Sequence, residues 1–262
     1  FSWNGSSWVA GPASLTVTGT SSWVAALDAA VLDQEGTYTA RAAAVDAAGN
    51  VDSTPATASF RIDRTGPDST IVNPAQNGAP LKDEGWDAAC GVAGAGICGT
   101  AVADDNATPV AHVDVSVRQV SSGLYWNGTS FASQAEIFNE ATSLVRVGSS
   151  LTWNWFYALP HTALPQEGTY VIRARAIDNA PNVESGLPSR TVVLDRTQPN
   201  AAVSFPLGLH NAGAWTAGCS TPGFCGTATD VASGVKTVEV AIQRTGTGLW
   251  WDGGAFAAAG EQ

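Results

Sequence analysis

A pentapeptide that returns unchanged constrains this chain more than any other feature of its sequence. The letters QEGTY occupy residues 34–38 and again residues 166–170. Asp63 and Asp195, in the matching tails SFRIDRT and TVVLDRT, have the same separation as the two copies of the pentapeptide. A fixed period of about 130 residues predicts similar domains joined end to end. Arrays of this kind usually extend a protein, display a binding site or assemble with other copies, and they seldom catalyse reactions.

Composition predicts an all-β protein. Charged residues are only 13% of the 262, methionine is absent, and glycine is abundant at 28 residues. Segments such as VDVSV alternate apolar and polar residues with the period of two that a half-buried strand has. Asn127-Gly128 is a strong hairpin signal. Seven short strands are predicted in one repeat, a number typical of a β-sandwich. These strands are predicted at residues 69–72, 97–102, 111–119, 123–126, 151–159, 170–177 and 190–194.

The QEGTY element resembles the tyrosine corner of immunoglobulin-like sandwiches, in which a tyrosine packs at the crossing between strands E and F and its hydroxyl bonds to nearby backbone. Tyr38 and Tyr170 would take that role. The chain also resembles the tandem Ig-like repeats of large bacterial surface and secreted proteins. Those repeats commonly end in A-x-D-x-A-G-N-V, then a strand, then V-D-x-T-x-P. This pattern is matched by DAAGNV at 46–51 and by DRTGP at 63–67. The segment DNAPNV at 178–183 differs from it at one position, where proline replaces glycine. The resemblance implies adhesin stalks, surface-layer or filament components, or accessory modules of secreted enzymes.

The repeat divides the chain into one complete Ig-like repeat, residues 67–198, between two half-repeats. Residues 1–66 match only the late strands of a repeat, and residues 199–262 match only the early strands. The chain is then either a window on a longer array, or the closing half of one copy completes the opening half of the next by strand complementation. Half a sandwich exposes strand edges and half a core, so each half is expected to pack against its complement.

Four cysteines fall into two close pairs with matching flanks, Cys90/Cys98 and Cys219/Cys225, and Gly-Thr-Ala follows the second cysteine of each pair. Zinc would need four ligands at each site, and no histidine or second cysteine pair lies near either pair in sequence. Two disulfides that close short loops are predicted, with free core thiols as the alternative. Disulfides indicate an extracellular or cell-surface location.

An aromatic hairpin motif recurs three times. Its copies are Trp126-Asn127-Gly128 with Phe131, Trp3-Asn4-Gly5 with Trp8, and Trp251-Asp252-Gly253 with Phe256. The paired aromatics could pack across the hairpin, make contacts between chains, or stack on sugar rings. The last possibility gives an alternative function, a carbohydrate-binding or adhesive module. It requires Trp3, Trp126 and Trp251 to be exposed and coplanar.

Acidic loops suggest a possible calcium site. Asp46 and Asn50 with Asp63 form one set, and Asp178 and Asn182 with Asp195 form the other, at the predicted F–G turns and linkers. Calcium takes several oxygen ligands from such loops and could stiffen an array. The alternative is that aspartate and asparagine form the turns themselves by accepting local backbone hydrogen bonds.

Other functions have little support in the sequence. The net charge is −11 and the 12 basic residues do not cluster, which argues against nucleic acid as a partner. The sequence contains no run of 18 apolar residues, so it predicts no membrane-spanning helix. His112, His161 and His210 stand in unrelated contexts without a nucleophile motif, and the glycine pattern at 94–99 opens no helix. The chain is therefore predicted to be a non-enzymatic extracellular structural protein whose partners are its own copies or adjacent repeats.

Overall fold

The computed structural model of the chain describes residues 1–75 and 80–260. Strands dominate and are arranged in several sheets, while the two α-helices have six residues each. No helix among the described residues is long and apolar enough to cross a membrane. The chain divides into two compact units, residues 1–65 and residues 66–262.

The first unit has four strands in two antiparallel pairs. β1 (Ser2–Trp3) pairs with β2 (Trp8–Val9), and β3 (Gly36–Ala42) pairs with β4 (Ala56–Ile62). The β3–β4 register runs from Gly36 opposite Ile62 to Ala42 opposite Ala56. Most residues of both strands are exposed. The pair therefore encloses no core of its own.

The second unit begins with two sheets built from residues 68–194. Their elements are β5 (Asp68–Asn73), α1 (Asp83–Ala88), β6 (Gly96–Val102), β7 (Val110–Gln119), β8 (Tyr125–Trp126), β9 (Phe131–Ser133), β10 (Asn139–Glu140), β11 (Ser143–Arg146), β12 (Thr152–Ala158), β13 (Gly168–Asp178) and β14 (Ser189–Leu194). One sheet has the order β11–β12–β6–β5. The other has the order β14–β13–β7–β8–β9, with β10 also paired to β7. All strand pairs in both sheets are antiparallel.

One hydrophobic core joins the two sheets. Val113, Val115 and Val117 alternate along β7 and are completely buried, as the period-two pattern of this segment requires. The opposite sheet contributes Ile97 from β6 and Trp155 from β12 to the same cluster. Each buried aliphatic side chain stabilises the fold by about 1.5–3 kcal/mol relative to an exposed one. The core therefore depends on both sheets being present.

All seven predicted strands match strands of the structure to within two residues at each end. The strand predicted for 123–126 is reduced to β8, because Gly123 lies in a turn with φ +73° and its N–H donates to Gln119 O at 2.9 Å. The sequence pattern missed β10 and β11, which have two and four residues and are too short to carry a period. It also missed both helices.

The last described region, residues 200–258, repeats the opening of the middle region. β15 (Asn200–Phe205) pairs with β16 (Cys225–Thr229), α2 (Ala212–Ala217) lies between them in the chain, and β17 (Gln243–Arg244), β18 (Leu249–Trp251) and β19 (Phe256–Ala258) form a separate sheet. Val203 of β15 lies opposite Gly226, as Ile71 of β5 lies opposite Gly99. Yet Val203 is 56% exposed and Ile71 only 1%. The same positions thus form a core in one copy and a surface in the other.

Glu184 is a buried carboxylate that links the two sheets of the middle region. Its Oε1 accepts a hydrogen bond from Ser69 N at 2.8 Å, and its Oε2 accepts from Ser69 Oγ at 2.6 Å and from Ala176 N at 2.9 Å. Ser69 belongs to β5 and Ala176 to β13. One side chain therefore satisfies backbone donors of both sheets at the end of the molecule where β5 begins and β13 ends.

Replacing Glu184 with alanine should lower the free energy of unfolding of residues 68–194 by about 3 kcal/mol, since buried donors left without an acceptor cost about 1–3 kcal/mol each. Guanidinium denaturation followed by tryptophan fluorescence measures this. Asp52, which stands one repeat period earlier and among the described residues accepts only from Thr54, is the matched control. Asp52→Ala should cost well under half as much, and equal losses would contradict a linking role for Glu184.

Candidate functional site

The repeated pentapeptide and two loops near it form the candidate functional site, which occurs twice. We call it the joint. The first joint comprises residues 34–38, 46–50 and 63–65, and the second comprises residues 166–170, 178–182 and 195–197. Each joint lies within a single unit and ends in the linker to the next repeat.

The tyrosine has the same hydrogen bond in both joints. Tyr170 Oη donates to Gln166 O at 2.6 Å, and Tyr38 Oη donates to Gln34 O at 2.7 Å. The residue two positions before each tyrosine, Gly168 or Gly36, has a positive φ, a conformation that favours glycine over other residues. Burial of Tyr170 raises the pKa of its hydroxyl, so the group remains a donor. The tyrosine thus closes the turn that leads into its strand.

The glutamate of the pentapeptide holds the start of the linker. Glu167 accepts from Arg196 N at 3.0 Å and from Thr197 Oγ1 at 2.8 Å. Glu35 accepts from Arg64 N at 2.8 Å and from Thr65 Oγ1 at 2.7 Å in the first joint. Sequence reasoning overlooked this role. The available signal was the constant spacing between the glutamate and the aspartate of Asp-Arg-Thr in both copies.

The predicted metal loops are tight turns whose carboxylates accept hydrogen bonds. Asp178 Oδ1 accepts from Ala180 N and Asn182 N, and its Oδ2 accepts from Asn182 Nδ2. Asp46 has the same pattern with Ala48 and Asn50. The side-chain hydrogen bond from Asn50, followed by its backbone N–H, lowers the pKa of Asp46 below its ordinary value, because both bonds favour the charged form. Local hydrogen bonds therefore explain the conformation of both loops without a bound ion.

The linker aspartates also form local turns. Asp195 Oδ1 accepts from Thr197 N at 3.0 Å, and Asp63 Oδ1 accepts from Thr65 N at 3.2 Å. Within either unit taken alone, the described residues bring no three histidine, cysteine, aspartate or glutamate ligand atoms within 4.8 Å of one another. Calcium at these loops stays a prediction.

The aromatic hairpin motif has the same turn in all three copies. The side-chain Oδ1 of Asn4, Asn127 and Asp252 accepts from the backbone N–H groups two and three residues later, at 2.8–3.0 Å. The next residue is a glycine with φ of +97° to +101° in each copy. Asparagine and aspartate are interchangeable here because the turn uses only a side-chain oxygen. Hydrogen bonds from Ala255 and Gly254 lower the pKa of Asp252.

The motif's aromatic rings pack onto the joint. Trp126 and Phe131 have ring centroids 5.3 Å apart, and Phe131 lies 5.6 Å from Tyr170. Trp8 lies 5.6 Å from Tyr38 in the first copy. Trp126 is only 6% exposed, and its Nε1 donates to Tyr157 Oη at 2.8 Å. Packing across the hairpin therefore accounts for this tryptophan.

The paired rings within the other two copies are tilted relative to one another. Trp3 and Trp8 are tilted by 58°, and Trp251 and Phe256 by 63°. A face built from one pair would present one ring and the edge of another. The geometry gives no specific support to the carbohydrate-binding alternative.

Both cysteine pairs are joined in the structure. Cys90 and Cys98 have their Cα atoms 5.9 Å apart, and Cys219 and Cys225 have theirs 6.0 Å apart. Each bond ties the residues just after the helix of its copy to the strand that follows, which is β6 after α1 and β16 after α2. No free cysteine remains among the described residues.

His161 lies in a cluster of charged side chains beside α1. His161 Nδ1 lies 2.6 Å from Asp87 Oδ2, and its Nε2 lies 4.0 Å from Asp83, which pairs with Arg196. Burial raises the pKa of Asp87, but hydrogen bonds from the His161 N–H and ring outweigh it and leave the pKa lowered. The cluster ties α1 to residues 161–163.

Comparison with known proteins gives structural neighbours only. No protein-family model matches the chain, and no curated protein matches it. The solved structures that are similar in part include the following two. A tetra-tandem repeat in the extending region of a large adhesion protein shares 16% identity over 65% of this chain, with a TM-score of 0.31. A Ca²⁺-stabilized adhesin that helps an Antarctic bacterium reach out and bind ice shares 14% identity over 64% of this chain, with a TM-score of 0.25. In each case the match covers 34% of the other chain.

Replacing Tyr170 with phenylalanine should lower the free energy of unfolding of the middle region by about 1 kcal/mol, the scale of one side-chain hydrogen bond. The loss should be larger than for Tyr38→Phe, because Tyr170 is fully buried and Tyr38 is not. Denaturation of the two variants beside the unchanged chain measures both effects. Equal effects would mean that burial does not strengthen the corner.

Replacing Asn50 with alanine should raise the pKa of Asp46, because the largest cause of its lowering is removed. The folded pKa lies below the unfolded value, so this carboxylate stabilises its turn above pH of about 4 and the stabilisation is lost as the pH falls through the folded pKa. Carbon-detected NMR titration of the aspartate carboxyls measures the shift, and Asp252 should not move. Adding Ca²⁺ to the unchanged chain tests the metal hypothesis, since bound calcium would displace the Asp46 and Asp178 signals.

Proposed function

We propose that this chain is a non-enzymatic structural segment of an extracellular protein, in which tandem Ig-like repeats act as a stalk or filament. The observation that carries the proposal is the joint. Two copies, one repeat period apart, contain the same tyrosine, glutamate and aspartate hydrogen bonds. The same residues hold the start of the linker in both copies. We therefore infer that they stabilise the connection between repeats.

Strand order supports an Ig-like repeat at residues 67–198. Strands β11, β12, β6 and β5 lie side by side, and β14, β13 and β7 do so in the other sheet. These orders correspond to D-E-B-A and G-F-C of an immunoglobulin sandwich. Tyr170 stands near the start of β13, the strand F position, and its hydroxyl bonds back to the preceding turn, as a tyrosine corner does. Half-repeats at 1–66 and 199–262 belong to the same proposal.

The joint suits a connection that carries tension. Five residues separate β4 from β5, and five separate β14 from β15. Glu35 and Glu167 hold the second and third residues of these linkers against the preceding repeat. A linker that is short and already bonded at its start has few orientations available. Repeats joined in this way would transmit extension without much bending.

Composition and cysteine use support an extracellular location. The two disulfides and the lack of a free cysteine among the described residues fit an oxidising compartment. The acidic net charge of −11 favours solubility of a long exposed protein. We propose calcium, held by the acidic loops, as a stiffening ion for such an array.

Electron microscopy of the native protein tests this proposal. Strand β13 has 11 residues and spans about 35 Å, so an array of such repeats with short linkers should have an axial period of about 45 Å. Gold-labelled antibody against residues 67–198 should mark extended fibres outside the cell. Compact particles without an axial period, or labelling confined to the cell interior, would overturn the structural role.

A further inference from the structure

Three segments of the chain have the sequence asparagine-x-serine/threonine, the sequon at which a glycan is joined to the asparagine side chain. They are residues 4–6, 106–108 and 127–129. A sequon supplies the amide and the hydroxyl that a glycosylating enzyme recognises, but both groups must also be accessible. The structure distinguishes the three sequons by the exposure and the hydrogen bonds of these groups.

Asn127 presents its amide nitrogen at the tip of the β8–β9 hairpin. Its Oδ1 accepts from Thr129 N at 3.0 Å, from Thr129 Oγ1 at 2.9 Å and from Ser130 N at 2.8 Å. Its Nδ2 makes no hydrogen bond to any residue that the structure describes. Asn127 and Thr129 are both exposed. The turn therefore fixes the amide by its oxygen and leaves the nitrogen, to which a sugar would be joined, open to solvent.

The sequon that contains Asn106 lacks an accessible hydroxyl. Thr108 supplies this hydroxyl, but it is only 7% exposed and its Oγ1 donates to Asp105 Oδ1 at 3.1 Å. The amide oxygen of Asn106 accepts from Arg146, which belongs to β11. An enzyme that must contact the amide and the hydroxyl together therefore cannot do so here in the folded chain.

The first copy of the aromatic hairpin motif has the same arrangement as Asn127. Asn4 Oδ1 accepts from Ser6 N, Ser6 Oγ and Ser7 N at 2.8–3.0 Å. Asn4 and Ser6 are exposed, and Asn4 Nδ2 makes no hydrogen bond to the described part of the chain. Two sequons thus occupy the same turn of the motif with the same groups available.

The third copy of the motif shows that the turn forms without a sequon. Asp252 Oδ1 accepts from Gly254 N at 2.9 Å and from Ala255 N at 2.8 Å, which are the backbone bonds that asparagine makes in the other copies. Aspartate has no amide nitrogen and glycine has no hydroxyl. The conformation of the turn is therefore independent of the two groups that glycosylation needs, and substitutions can remove them without disturbing the fold.

Asn127 lies beside an open sheet edge. Strand β9 is the last strand of its sheet and, among the described residues, pairs only with β8. Such an edge presents unpaired backbone donors and acceptors to strands of other proteins. The turn that contains Asn127 connects β8 to β9. A bulky hydrophilic group at this turn would shield the edge from other strands.

We propose that Asn127 carries an N-linked glycan, and that Asn4 in the same turn carries another. The donor is a sugar activated by a diphosphate at its anomeric carbon. Nδ2 attacks this carbon and the N–C bond forms, while the C–O bond to the diphosphate breaks and the proton of Nδ2 passes to a base of the transferring enzyme. The hydrogen bonds to Oδ1 favour the step, because they stabilise the negative charge that this oxygen gains as the proton leaves. This proposal does not depend on the stalk function.

Peptide mass spectrometry of the native protein, isolated from its own cells, tests the proposal. Fragmentation should place a sugar mass on Asn127, while the peptide that contains Asn106 should have no added mass. An oligosaccharide on Asn127 indicates a lipid-diphosphate donor, and a single sugar indicates a nucleoside-diphosphate donor. Deamidation of Asn127 changes the mass by far less than a sugar does, so the two reactions are distinguishable.

Variants of the full chain produced in the same cells test the role of each sequon group. Asn127→Asp removes Nδ2 and keeps the oxygen that the turn uses, and Thr129→Gly removes the hydroxyl. Both should lose the sugar completely and still fold, since the third copy has aspartate and glycine at these positions of the turn, and tryptophan fluorescence checks the folding. The double variant Asp252→Asn with Gly254→Thr should gain a sugar in the third copy.

The native protein and the variants give separate ways for the proposal to fail. An unmodified Asn127 in the native protein overturns it, and so does a sugar that persists in Thr129→Gly. Equal occupancy of Asn106 and Asn127 would overturn the argument from the folded turn. A sugar gained by the double variant supports that argument, and no gain would show that the turn and the sequon together are not enough.

Discussion

The pairing of β7 with β13 is the interaction on which the rest of the structure depends. It joins a segment from early in the repeat to one from late in the repeat, and its inner face supplies Val115 and Ala174 to the core. Positions equivalent to these in residues 40–44 and 238–242 are exposed or half-buried. Side chains of the same kind are core where the two strands meet and surface where they do not.

Polar residues support the structure around that pairing. Glu184 satisfies donors from β5 and β13, Glu167 holds the linker, and Asp178 forms the turn after β13. Each carboxylate accepts backbone hydrogen bonds, and buried or half-buried backbone donors would otherwise be costly to leave unpaired. Clusters of this kind resemble metal or catalytic sites in a sequence. In the folded chain both carboxylate oxygens of Glu184, Glu167 and Asp178 already have partners.

The aromatic hairpin motif also has a pattern that the sequence shows and a burial that only the folded structure decides. The sequence identified the hairpin motif and its three copies, and the turn hydrogen bonds are the same in each. Whether the tryptophan faces solvent or the core depends on the rest of the repeat. Trp126 is buried against Tyr157, which belongs to β12 in the opposite sheet, while Trp251 remains 39% exposed.

The sequence by itself determined the repeat period, the all-β class, most strand positions in the middle repeat and the pairing of cysteines that lie close together. These follow from the repeated letters and from local signals, since alternation, turn residues and short loops are properties of neighbouring positions. Only the tertiary structure decided which repeated positions are buried, that Glu35 and Glu167 hold the linkers, and that Glu184 joins two sheets. Ser69 and Glu184 are 115 residues apart, and no local pattern records a contact over that distance. Burial depends on the presence of a second strand, which the sequence of the first cannot specify.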